Sequence, residues 1–176
     1  MKKILLASLV LAASLSAYEI QNSSVKFTAF KTYAKKGVSG VFDVVKVTTN
    51  KNDTIVGLLS NATATINTSS VNSGNKGRDI KLVSKFFDVQ NVKKIEAKII
   101  KVDKKTLVAK ITMNEKSLDI PMSYTAKNGK ITAKGTIDLA DFAMLSSLKS
   151  INKACYALHQ GKTWQDVDIA FTLDYK

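Results

Sequence analysis

The chain is poor in the residue types that most active sites need. Among 176 residues there is one Cys, one His, one Pro and one Trp. A single Cys excludes a disulfide framework, and one Cys with one His excludes a zinc site built from several such ligands. Cys155 and His159 lie four apart in a single helical pattern, so they form no Cys/His or Ser/His/Asp set with the rest of the chain. No catalytic residue, metal ligand or cofactor is expected. Acids are also scarce: 14 Asp and Glu face 27 Lys and Arg, a formal charge of +13. No linker, low-complexity tract or internal repeat divides the sequence, so one domain is expected. A hydrophobic share of 45% and a charged share of 23% are those of a folded chain.

The one continuous apolar run, residues 4–13, is too short to cross a bilayer as a helix. Lys2 and Lys3 precede it, and Ser14-Leu15-Ser16-Ala17 follows as a small-residue cleavage region. Residues 1–17 therefore read as a secretory signal peptide cut near Ala17, with the domain occupying 18–176 and the protein exported. Removing Lys2 and Lys3 leaves a charge of +11. That excess favours anionic partners, a membrane surface among them. Nucleic acid is disfavoured by export and by the scatter of the lysines, which occur as pairs (35–36, 93–94, 104–105) and not in long basic runs. A solvated basic surface explains the charge equally well.

What is plentiful is period-two alternation. Val25, Phe27 and Ala29 share one face. The same pattern runs through 95–99, 107–113, 118–124, 131–137 and 167–175. One apolar and one polar face per run is the mark of half-buried antiparallel strands. Asn128-Gly129 predicts a type I′ hairpin turn and Asn114-Glu115-Lys116 a short loop. Less regular strands near 38–47, 55–59 and 62–66 bring the total to eight or nine. Two segments switch to helical spacing. One is Arg78–Phe87; the other is Phe142, Leu145, Leu148, Ile151, Cys155 and Leu158, about five turns with Asp141 as N-cap and Gly161 beyond the end. The expected fold is all-β with two helices, an antiparallel β-barrel of about eight strands, which conceals sheet edges. Small inward residues (Ala29, Ala97, Ala109, Ala133, Gly135) leave space for one elongated ligand. Trp164 suits a rim aromatic or a core plug, the latter preferred.

The order of elements then becomes recognisable. Tyr18-Glu19-Ile20 is followed by Val25-Lys26-Phe27 and by Val38-Ser39-Gly40-Val41-Phe42-Asp43. After these come Ile66-Asn67-Thr68-Ser69-Ser70, then Gly77-Arg78-Asp79-Ile80-Lys81-Leu82, and finally Phe86-Phe87-Asp88-Val89. Together they resemble the YceI-like family of bacterial periplasmic proteins across essentially all of 18–176. The resemblance implies a lipocalin-like barrel that holds an isoprenoid or other long-chain amphiphile, often as a homodimer. Two places depart from the family pattern. Lys31 stands where a His frequently follows the aromatic strand, and Asp141-Phe142 is followed by Ala143 where Gly is usual.

On this reading the ligand-binding residues are Phe27, Phe42, Phe86 and Phe87 with Ile95, Ile99 and Ile111. Ile120, Tyr124, Phe142 and Phe171 complete the interior, and core packing explains each of them as well. Arg78, beside Asp79, either orients a polar head group or forms a pair holding a helix start. His159 suits the helix dipole, and Cys155 on the apolar stripe suits a buried thiol. The expected function is a periplasmic carrier of a long-chain lipid. The alternative is an interaction module, a filled barrel whose basic exterior binds a protein or an anionic surface.

Overall fold

Alternating segments can bury only one face, and here they do so by pairing into one antiparallel sheet. The computed structural model describes residues 17–176; residues 1–16 of the expected signal peptide lie outside them. The strands are β1 (Ile20–Lys31), β2 (Lys36–Phe42), β3 (Val45–Thr48), β4 (Thr63–Asn67) and β5 (Val71–Asn72). They continue with β6 (Lys94–Val102), β7 (Thr106–Met113), β8 (Lys116–Lys127), β9 (Lys130–Asp138) and β10 (Thr163–Tyr175). Their order is β3-β4-β6-β7-β8-β9-β10-β1-β2-β5. The sheet curls into a half-barrel of lipocalin-like form. The long β1–β10 pairing, Ile20 opposite Tyr175 through Lys31 opposite Thr163, ties the two ends of the described chain together. Ten strands stand against the expected eight or nine: the stretch 38–47 divides into β2 and β3, β5 is too short at two residues to show a period, and 55–59 is not a strand.

The hairpins follow turn chemistry. Asn128 and Gly129 both have positive φ (52° and 70°), the type I′ geometry between β8 and β9. Asn114 and Glu115 do the same (50° and 60°), so the expected loop is a two-residue turn and Lys116 already belongs to β8.

Residues 55–59, expected as a strand, form the short helix α1 (Ile55–Leu59). The Thr54 hydroxyl caps it by accepting from the Gly57 N–H at 3.0 Å, and consecutive Leu58 and Leu59 are both buried, which an alternating strand face does not allow. The helix expected at 78–87 begins earlier, as α2 (Lys76–Leu82) with Asn75 as its cap, and continues through a π turn at Val83–Phe87. The five-turn helix is shorter and broken. It consists of α3 (Leu145–Ala154) and α4 (Tyr156–His159), separated at Cys155.

Asp141 caps nothing there; it is exposed ahead of a turn in which Ala143 has φ 56° and the Met144 N–H donates to the Leu139 carbonyl. Gln90 and Asn114 side chains donate to the carbonyls of Ala143 and Phe142, and this turn drives Phe142 into the core at 0% exposure. Helical spacing at 142 thus belongs to a buried turn.

Candidate ligand-binding cavity

The inner face of the sheet does not close on itself everywhere. Between it and the α2 and α3–α4 segments lies a cavity of about 450 Å³, within the ~300–1,000 Å³ range of small-molecule sites. Its floor follows from alternation: Val25, Phe27 and Ala29 of β1 lie opposite Phe171, Ile169 and Val167 of β10. Ile95, Ala97, Ile111 and Ile137 extend it across β6, β7 and β9. The roof comes from Leu82, Phe86 and Phe87 on one side and from Leu148, Ile151, Cys155 and Leu158 on the other. Leu158 lines the cavity yet is 65% exposed, and exposed Asn75 and Gly77 also line it, so the opening lies beside α4 and the start of α2.

A chain of aromatic contacts fixes one wall. Phe27 meets Phe42 at 5.6 Å between ring centroids, Phe42 meets Phe87 at 6.1 Å, and Phe87 meets Phe86 edge-on at 5.0 Å. Such tilted pairs add to area burial and hold ring orientation. Gly40 makes room for the first of them. A Cβ there would lie 2.6 Å from the Phe27 ring and 2.9 Å from the Asn72 carbonyl. The Gly-Val-Phe segment of β2 and the Phe-Phe segment after α2 are therefore parts of one wall.

The polar end is cationic. Lys31 continues the inward face of β1 after Phe27 and Ala29, and Lys81 lines the cavity from α2. No Asp or Glu lines it among the described residues. Arg78 is also present, but its Nε donates to the Ser73 hydroxyl at 2.7 Å and an Nη to the Ser73 carbonyl at 2.8 Å. Asp79 accepts from the Ser73 N–H at 2.9 Å and from its hydroxyl. The Arg-Asp pair thus fastens the β5–α2 loop around Ser73, the structural of its two readings, while the guanidinium still borders the cavity. The His159 Nδ1 lies 2.7 Å from the Thr163 hydroxyl, which donates to Asn152 at 2.8 Å. Burial, reinforced by the charges of Lys31 and Lys81, holds the imidazole below its ordinary pKa. Trp164 is no core plug. It is half-buried on the cavity wall, donates from Nε1 to the Thr32 carbonyl at 2.8 Å, and carries the Lys162 and Lys35 ammonium groups 4.5 and 5.1 Å from its ring.

Of the residues chosen from sequence, Phe27, Phe42, Arg78, Phe86, Phe87, Ile95, Ile111 and Phe171 border this cavity. Ile99 borders a second, small void of about 40 Å³, which shares Ala97 and Phe171 with the first. Ile120, Tyr124 and Phe142 pack in the core away from both. The Tyr124 hydroxyl donates to the Asp103 carbonyl at 2.8 Å, and burial together with the Asp103 charge raises its pKa. Lys31, Lys81, His159, Trp164 and the α3 residues were not chosen. Lys31 had a signal, a charge at an inward register position; so did Lys81, three residues after Arg78 on the same helical face.

The family model for the YceI-like domain matches residues 18–175. Solved structures agree in fold. A polyisoprenoid binding domain from Saccharophagus degradans, implicated in plant cell wall breakdown, superposes with a TM-score of 0.64 at 15% identity, over 92% of this chain and 98% of that one. Burkholderia cenocepacia BcnA gives 0.61 at 15% identity, covering 90% and 99%. The Campylobacter jejuni YCEI protein gives 0.52 at 16% identity, covering 96% and 94%. No curated protein matches the sequence. With the family model spanning nearly all of the described chain, and the half-barrel matching these structures throughout, the chain belongs to the YceI-like family.

Proposed function

We propose that the protein is a periplasmic carrier or sequestering protein that holds one long-chain amphiphile, with the tail over the β1/β10 floor and the head toward Lys31 and His159. The observation that carries this is the apolar cavity of about 450 Å³ with polar groups gathered at one end. Its energetics suffice without a catalytic group. About 15 methylenes leaving water gain on the order of 10 kcal/mol at ~0.8 kcal/mol each. Ordering the tail and losing translational freedom remove several kcal/mol of that, which leaves affinity of about micromolar order. The binding named for the Saccharophagus degradans domain supports a polyisoprenoid as one such tail.

Native mass spectrometry of protein purified from a bacterial periplasm, followed by organic extraction, tests the reading. A stoichiometric long-chain species is expected. A clean apo mass together with failure to take up isoprenoids or fatty amides would overturn it and turn attention to a protein partner. The basic exterior and exposed Leu158, Ile80 and Tyr156 further suit work at an anionic membrane surface. Association with anionic liposomes should then fall as salt shortens the screening length; salt-independent association would count against it.

A further inference from the structure

Seven ion pairs form among the described residues, through Lys35, Lys51, Lys93, Lys94, Lys101, Lys110 and Lys130. Each involves a lysine outside the cavity wall or, for Lys35, beyond the Trp164 ring. The cations that border the cavity, Lys26, Lys31, Lys81 and Arg78, join none of them, and Lys26 is the exposed one of the four. Arg78 is oriented by two of its N–H groups, which donate to Ser73, whereas Lys31 and Lys81 make no side-chain hydrogen bond or ion pair among the described residues. Both are half-buried, and Lys31 lies opposite another lysine, Lys36, on β2. Neither ammonium has a carboxylate partner among the described residues, so an anion bound between them would make charge-assisted contacts that no protein group already satisfies.

We propose that the ligand carries an anionic head group, a carboxylate or a phosphate, seated between the Lys31 ammonium, the Lys81 ammonium and the His159 imidazole. The proposal rests on the carrier reading and specifies its ligand. The imidazole is prepared for this by a chain of fixed donors. The Asn152 amide N–H donates to the Gly161 carbonyl, which orients its oxygen to receive the Thr163 hydroxyl proton; the Thr163 oxygen is then left to accept from His159 Nδ1–H. In neutral His159 the unprotonated nitrogen is therefore Nε2, without a hydrogen-bond partner among the described residues.

Lys31 on β1 and Lys81 on α2 face the ring with positive charge, and Thr163 on β10 and Asn152 on α3 face it with neutral groups. Burial first, and then these charges, disfavour the protonated ring when the cavity is empty. An anion between the three groups reverses that balance: Nε2 takes a proton from solvent, and the imidazolium becomes a third donor to the head. Binding of an anionic head is thus coupled to proton uptake, and binding of a neutral head is not.

Matched probes decide this. Palmitate is compared with palmitamide, and farnesyl phosphate with farnesol, so that only the head charge changes within each pair. The anionic member is expected to bind about tenfold or more tightly, the range of a hydrogen bond to a charged group. Lys31→Gln and Lys81→Gln are each expected to remove most of that advantage, the ratio of charged to neutral affinity being the readout, with the unfolding midpoint of the unliganded variants certifying the fold. Titration calorimetry near pH 6.5 in buffers of different ionisation enthalpy should show proton uptake with palmitate, none with palmitamide, and none in His159→Gln. Equal affinity for charged and neutral heads, or no response to the lysine variants, would overturn the head-group assignment and leave the carrier reading standing. Failure of every chain to bind would sink the carrier reading itself. Inorganic phosphate competing as strongly as farnesyl phosphate would replace the lipid head with a free anion.

Discussion

The two voids under the sheet are built by the same alternation and differ about tenfold in volume, 450 against 40 Å³. The small one is bordered by Ala62, Ala64, Ala109 and Ala133 with Leu59, Leu107, Met122 and Ile131, and no ionisable side chain borders it among the described residues. There the sheet curls tightly enough for aliphatic side chains from β4, β6, β7, β8 and β9 to meet, and alanines fill the gaps between them. At the other end the strands are roofed by helices instead of by each other. Phe86, Phe87, Leu148 and Ile151 line the roof of the space that remains above the floor, so residues that would elsewhere be core become a cavity wall. A small inward residue therefore does not by itself mean room for a ligand. Ala109 and Ala133 are packed, Ala29 and Ala97 face space, and a Cβ on Gly135 would lie 3.0 Å from the Met122 side chain.

Truncation is the strongest way to separate the two ends. Phe142→Ala, at a side chain with 0% exposure, should cost about 3–5 kcal/mol in denaturant unfolding. Phe27→Ala removes a ring that already borders open space, so about 1–2 kcal/mol is expected, with lipid uptake lost in its place. Equal costs would mean that the cavity end is packed as tightly as the core. Filling gives the converse. Ala109→Phe has no room and should cost about 1–3 kcal/mol or more. Ala29→Phe should leave the unfolding midpoint nearly unchanged and reduce retention of any long chain; an unimpaired chain uptake would move the tail away from β1.

These differences also mark how far the sequence could be read. Most strands, the Asn128-Gly129 turn and the presence of the Arg78–Phe87 helix were legible because each rests on local chemistry: alternation, Asn-Gly in left-handed backbone, apolar residues at helical spacing. So was most of one cavity wall, through the aromatic residues of β1, β2 and the segment after α2. What escaped depended on which element covers which. Phe142 fits the helical stripe of 145–158 perfectly well by spacing, yet it is a turn residue held by Gln90 and Asn114 from distant parts of the chain. Residues 55–59 are apolar enough for a strand, and only the Thr54 cap and two adjacent buried leucines make them α1. Lys31 and Lys81 each carried a local signal, but their meeting with His159 did not, for a related reason. Lys31, Lys81 and His159 come from β1, α2 and α4, and no local pattern links residues that only the folded sheet brings to one opening.

The turn that lodges Phe142 offers a subtler test of the packed end. Ala143 holds φ 56°, a region that costs an L-residue with a Cβ roughly 1 kcal/mol and costs glycine nothing. Ala143→Gly should raise stability by about 0.5–1 kcal/mol, the strain relief being partly offset by the freer unfolded chain. Calorimetric unfolding checks it. A loss of stability would show that the methyl group contributes packing that outweighs the backbone strain.

The smallest expected effect concerns protons, and it belongs to the open end alone. In the folded protein, burial and then the charges of Lys31 and Lys81 place the His159 pKa below its ordinary value, so the unfolded chain binds this proton more readily. Stability from keeping the ring neutral is fully present above the unfolded pKa of about 6.5 and declines as pH falls through it. The decline stops once pH is below the folded pKa, where both states carry the proton. The ring is partly solvated, so screening keeps the effect small. Measured from pH 8 to pH 5 without ligand, the unfolding temperature of the wild-type chain should drop relative to His159→Gln, whose profile lacks this component. A constant difference between the two would mean that the imidazole does not feel the lysines, and the open end would then be polar without being poised for an anion.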